Sequence, residues 1–136
     1  MEISTPVELI RSHALSDRAP YAYAAVAHDV ARLVFTAGAC PLDADGTTVA
    51  VGDITAQTEQ VMANLRVALR AAGAELTDVV KTTVYVATQR REDLVAVWDV
   101  VSRHFGDHDA PSTLLGVTVL GYPDQLVEVE AIAALR

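Results

Sequence analysis

From Leu126 to Leu135 the chain reads Leu-Val-Glu-Val-Glu-Ala-Ile-Ala-Ala-Leu, and in a strand successive side chains point to opposite faces. Val127, Val129, Ala131 and Ala133 thus share one face, while Glu128, Glu130 and Ile132 share the other. Such a strand needs a sheet with one face covered. A second segment, Asp78-Val79-Val80-Lys81-Thr82-Thr83-Val84-Tyr85-Val86, is dense in β-branched and aromatic residues and is also expected to be a strand.

Two stretches have helical periodicity instead. After Asp53 or Thr55, either of which suits an N-cap, Val61, Met62, Leu65, Ala68, Leu69 and Ala72 recur on one side until Gly73. The second begins near Arg91-Glu92-Asp93, carries Leu94, Val97, Trp98, Val101 and Phe105, and ends at Gly106. Shorter strands are expected over Tyr23 to Ala27, Leu33 to Ala37 and Leu114 to Val119, with turns at His28-Asp29, Asp43 to Gly46 and Gly121 to Asp124. The predicted order is two strands, helix, strand, helix, two strands, as in a loosely duplicated β-α-β unit. The fold class is α/β (α+β), a mixed sheet with both helices on one face. Val127 and Val129 are expected to need cover from outside the chain, and oligomerisation would supply it.

At 136 residues, the length predicts one domain over residues 1–136. Hydrophobic residues make up 51% of it, enough for a folded core throughout. The net charge of -8 disfavours nucleic acid, because phosphates would be repelled. No apolar run is long enough for a membrane span, the first residues do not resemble a signal peptide, and Cys40 is the single cysteine. These features predict a soluble cytoplasmic protein with neither membrane nor nucleic acid as partner.

Few residues advertise chemistry. Glu128 and Glu130 would project to one side roughly 7 Å apart, a spacing that lets carboxylates divide acid and base roles, although the pattern alone favours a solvated strand face. Cys40 lies in a loop with no sequence neighbour to activate it, so a structural thiol is expected. His104 and His108 stand four apart, but Gly106 interrupts the turn and no metal site is expected. There is no GxGxxG, no P-loop and no GxSxG around Ser112-Thr113. Trp98 belongs to an apolar helix stripe, which suits core or interface better than a binding platform.

Several stretches, taken in order, resemble the Rid (YjgF) family of reactive-intermediate deaminases. They are Pro20-Tyr21, Val34 to Gly38, Gly52-Asp53-Ile54, Gln57 to Gln60 before Asn64-Leu65, Asp78 to Val86 and Val127 to Ala133. The resemblance implies a chorismate-mutase-like fold and a homotrimer with small-molecule pockets between subunits. It also implies hydrolysis of an enamine or imine to a ketone with release of ammonia, without metal or organic cofactor. Carried over residue by residue, it makes Glu128 the catalytic, water-positioning acid, Tyr21 a pocket tyrosine and Gly38 the close backbone approach. Ala37, Trp98, Pro111, Ser112 and Thr113 complete the expected ligand-binding set.

The chain also departs from that pattern. Deaminating members place an arginine before a serine or threonine, where its planar fork grips a carboxylate. Here Pro111 stands there, in Ala110-Pro111-Ser112-Thr113. Losing such a desolvated pair typically costs about 2 to 5 kcal/mol of binding, which points away from standard α-imino carboxylates. Ala39 stands where a polar residue is common, Trp98 replaces a small polar residue, and the Leu120 to Gln125 loop is longer. Arg90 or Arg91 could supply a cation from elsewhere. Two functions follow: an imine hydrolase with another substrate, or a trimer that binds a metabolite without turnover.

Overall fold

The computed structural model describes residues 5–136. Strands β1 (Val7–Ile10), β2 (Ala24–Ala27) and β3 (Arg32–Phe35) precede helix α1 (Ile54–Ala71). A 3-10 turn (Leu76–Asp78), β4 (Val79–Ala87), α2 (Arg91–Phe105), β5 (Ser112–Val117) and β6 (Val127–Leu135) follow. The main sheet has the order β3-β6-β4-β5, with β4 and β5 parallel and β6 antiparallel to both neighbours. β3 is consequently parallel to β4, so α1 and α2 each serve as the crossover of a parallel unit. Parallel strands need such a long return, and a helix provides it.

The mixed sheet with two packed helices agrees with the sequence expectation. β1 is an addition to it; this strand pairs antiparallel with β2 as a separate two-stranded ribbon. Four residues are too few to establish a period. β5 begins at Ser112 rather than Leu114, because Ser112 and Thr113 already pair with Thr82 and Thr83. The Pro111 carbonyl accepts from the Thr82 amide at 3.1 Å, and Pro111 then leads into this edge strand, where its missing N–H leaves no ladder partner unsatisfied.

Both helix boundaries have local causes. The Asp53 side chain accepts from the Ala56 amide at 3.0 Å, satisfying an orphan donor at the start of α1. At the other end Gly73, with φ of +84°, lets its own amide reach the Arg70 carbonyl and that of Ala74 the Leu69 carbonyl. In α2 the first-turn Asp93 accepts from the Thr88 hydroxyl at 2.6 Å, and the same hydroxyl accepts from the Arg90 amide.

The core lies between helices and sheet. Val61, Met62, Leu65 and Leu69 from α1, and Val97 and Val101 from α2, pack on Val84 and Val86 of β4 and Val127, Val129, Ala131 and Ala133 of β6. This corrects one expectation. Val127 and Val129 need no second subunit, because the helices of their own chain bury them completely. The uncovered face is the opposite one, and it is mixed in character. Phe35, 69% exposed, joins Thr36, Lys81, Thr83, Glu130 and Ile132 around a shallow depression of 260 Å³. Leu33 and Leu115 are also exposed on this face by strand alternation.

Leu65 lies at the centre of the α1 contact and has no exposed surface. Leu65→Ala should therefore lower unfolding free energy by about 2 to 5 kcal/mol, read from the urea midpoint at unchanged slope.

Candidate active site

Glu128 leaves β6 on the face away from the helices, opposite Tyr85 of β4. Its Oε1 accepts from Gln125 Nε2 at 3.1 Å and lies 3.3 Å from Cys40 Sγ. The carboxylate also lies against Gly38, where a Cβ added to the glycine would fall 2.2 Å from Oε2. Only a glycine leaves that space to the carboxylate. Glu128 and Gly38 are thus brought together from segments 90 residues apart, while Ala37 is exposed beside them.

The loop carrying Gly38 and Cys40 is held by a bridge between Ala39 and Val129, the Ala39 amide reaching the Val129 carbonyl at 2.7 Å. Helix α1 adds a polar edge. Asn64 Nδ2 donates to the carbonyls of Cys40 (2.8 Å) and Leu42 (3.0 Å), and Gln60 donates to Asn64 Oδ1. One turn earlier, the fully buried Gln57 donates to the Asp124 carbonyl at 2.9 Å and accepts from the Leu126 amide at 2.8 Å. Both loops that flank Glu128 are therefore fastened to one helix. A cleft of 630 Å³ opens here, with Gly38, Cys40, Gln60, Asn64 and Tyr122 among its walls.

Burial is the main reason the Cys40 thiol is pushed up to about 11, and hydrogen bonding and charge from Glu128 add to it. Cys40 is thus a protonated thiol near neutrality, unsuited to attack as a nucleophile. The structural role expected for it stands, but its partner is invisible in sequence, since Glu128 is 88 residues away.

A second group gathers at the β5 edge. Tyr21, Trp98, Ser112 and Thr113 line a cleft of 440 Å³ with Pro20 and Leu114. Tyr21 meets Trp98 edge to face at 6.1 Å and Tyr23 at 6.2 Å. Pro111, partly buried, lies just before Ser112. The Ser112 hydroxyl bonds with that of Thr82. No arginine belongs to this lining. Arg90 occupies the N-cap position of α2 with its side chain 3.5 Å from Glu92, and neither it nor Arg91 lines the cleft within one chain. The cation bonded to these walls is Lys81, whose Nζ donates to Thr113 Oγ1 at 2.6 Å.

Glu130 shares the face of Glu128 but has a different partner, the Tyr85 hydroxyl at 2.7 Å. That bond, with a smaller contribution from burial, raises the Tyr85 pKa. His104 pairs with Glu59 at 3.2 Å, and His108 Nε2 donates to the Val79 carbonyl at 2.8 Å. Among the described residues no cluster of His, Cys, Asp or Glu could hold a metal ion, and no helix is long and apolar enough to cross a membrane.

Gln57, Gln60, Asn64 and Gln125 join the site only in the folded structure. For the first three, their spacing at one helix face is the signal the sequence carries. Gln125 carries none.

Comparison with known proteins matches this geometry to a family. The family model described as Endoribonuclease L-PSP matches residues 11–135. A RutC family protein of Pyrococcus abyssi is 38% identical over 104 residues, covering 76% of this chain and 80% of its own. A 2-iminobutanoate/2-iminopropanoate deaminase of Salmonella typhimurium is 34% identical over 110 residues, covering 79% and 84%. Among solved structures, the Rid-family protein YyfB from Yersinia pestis superimposes with a TM-score of 0.89 at 31% identity, covering 96% of this chain and 100% of its own.

Because the thiolate is the reactive form, iodoacetamide should label native Cys40 slowly at pH 8 and faster as pH approaches 11. Glu128→Gln removes two of the causes that raise this pKa. Its labelling should accelerate at pH 8, followed by intact-mass spectrometry.

Proposed function

The chain belongs to the Rid (YjgF, endoribonuclease L-PSP) family, and from that premise we propose that it hydrolyses an imine or enamine to a ketone with release of ammonia. The observation that carries this reading is Glu128, a carboxylate fixed by Gln125 beside the small Gly38. Its Oε2 accepts no hydrogen bond from the described residues and is placed to accept one from water. Water adds to the C=N carbon as Glu128 takes its proton and passes it to the nitrogen, giving a neutral carbinolamine. Glu128 then takes the new hydroxyl's proton and delivers it to the same nitrogen as the C–N bond breaks, so that ammonia leaves and the C=O remains. Imine and water enter, ketone and ammonia leave, and no redox step is needed. A positioned acid–base group of this kind contributes roughly 10²- to 10⁴-fold.

The complete pocket in this reading lies between subunits of a homotrimer. Supporting it, the Glu128–Gly38 group lies by the β3 side of the sheet, and the Tyr21–Trp98 cleft lies at the opposite, β5 edge. Joining them requires a second copy, and the exposed Phe35, Leu33 and Leu115 offer a face on which copies could pack. Tyr21, Trp98, Ser112 and Thr113 would then wall one side of the substrate, and Ala37, Gly38 and Glu128 the other.

Pro111 sets the expected substrate apart from ordinary α-imino carboxylates, since it brings neither charge nor donor to the Tyr21–Trp98 cleft. The same residue supports the second reading, a trimer that binds a metabolite without turnover. The net charge of -8 supports a small-molecule ligand over RNA.

Purified protein should release ammonia from imines generated in situ, fastest on those lacking a carboxylate beside the C=N carbon. Glu128→Gln should lose at least about 100-fold in rate with unchanged oligomer mass by light scattering. Saturable metabolite binding with no turnover of any imine would select the binding protein instead. Phe35→Asp should dissociate the assembly, and activity should fall with it; a fully active monomer would refute the intersubunit pocket.

A further inference from the structure

We propose that Gln125 and Cys40 are positioning residues that hold the Glu128 carboxylate asymmetrically, occupying Oε1 and presenting Oε2 to a bound water or ligand. This rests on the assignment of Glu128 as the water-orienting base. Gln125 is only 4% exposed, and every polar atom of its amide is engaged. Nε2 donates to the Val127 carbonyl and to Glu128 Oε1, both at 3.1 Å, while Oε1 accepts from the Tyr122 amide at 3.1 Å. That last bond fixes which end of the amide faces Glu128. A side chain tied at three points cannot turn to follow a mobile carboxylate.

Cys40 approaches the same oxygen from the opposite loop. Its Sγ lies 3.3 Å from Glu128 Oε1 and 3.4 Å from the Gly38 carbonyl. One thiol proton serves one acceptor at a time, and a carboxylate is the stronger of the two. Both donors thus converge on Oε1, while Oε2 packs against Gly38 in the space a Cβ would need and takes neither donor. Rotation of the carboxyl about its own axis would exchange the two oxygens, and the paired donors oppose it. The loops that bring them are fastened independently, by Asn64 on the Cys40 side and Gln57 on the Gln125 side. Other titratable groups facing this carboxylate are Tyr85 across the β4–β6 pairing and Glu130 on the same face of β6.

Two charge-assisted donors on one oxygen fix the plane of the carboxyl, so removing either should let it turn. The test uses full-length protein labelled with ¹³C at glutamate carboxyls, the Glu128 resonance being identified by its loss in Glu128→Gln. In Gln125→Leu and Cys40→Ala the Glu128 carboxyl resonance should leave its wild-type position at fixed pH, and Cys40→Ser, which keeps a donor, should restore it. On an imine turned over by the wild type, each donor deletion should lower kcat about tenfold and change KM less than about twofold.

An unmoved Glu128 resonance in folded variants would overturn the proposal whatever their activity. A moved resonance with an unchanged kcat would overturn it as well, by showing that the bonds do not bear on the reaction. If the resonance moves as expected but the wild type turns over no imine, the asymmetric hold on Glu128 is upheld and the deaminase reading fails.

Discussion

Everything in this chain is arranged around β6, a strand that is central in the sheet although it comes last in sequence. It runs antiparallel between β3 and β4, so one row of its side chains is sealed under two helices while the other row stays clear of them. The buried row, Val127 to Ala133, couples both crossover helices to one hydrophobic core. The uncovered row places two carboxylates where polar partners can reach them. A shift of one residue in register would exchange the rows, burying Glu128 and Glu130 in the core, where unpaired charge is prohibitively costly. The catalytic candidate and the core are therefore set by the same pairing.

Helix α1 extends that control to the loops. Its inner face is apolar, but at its edge Gln57 and Asn64 are spent on main-chain groups of segments 124–126 and 40–42, and Gln60 braces the Asn64 side chain. Buried polar groups are tolerated when they are satisfied, and Gln57 is satisfied at both ends of its amide. Glu128 is held in turn by side chains of those segments. Its geometry thus depends on rigid elements even though its immediate partners come from loops.

The two candidate regions, around Glu128 and around Tyr21, differ in character. Around Glu128 the surroundings are polar and tightly bonded. Around Tyr21 and Trp98 they are aromatic, with hydroxyls at Ser112 and Thr113. Lys81 is bonded to this lining, and it reaches Thr113 from the sheet's uncovered face.

Periodicity in the sequence determined the two long helices, the two long strands and the fold class, because burial of one face imposes repeats of 3.6 and 2 that survive in a linear text. The capping residues Asp53, Gly73 and Gly106 were legible for the same local reason. The family pattern further singled out Glu128, Gly38 and Tyr21. Only the tertiary structure decided which sheet face is covered, reversing the expectation for Val127 and Val129. It alone brought Cys40 and Gln125 onto one carboxylate oxygen and set Tyr21 with Trp98 at the other edge. Those contacts join segments tens of residues apart, and neither pattern nor propensity records which loops a fold will bring within hydrogen-bonding distance.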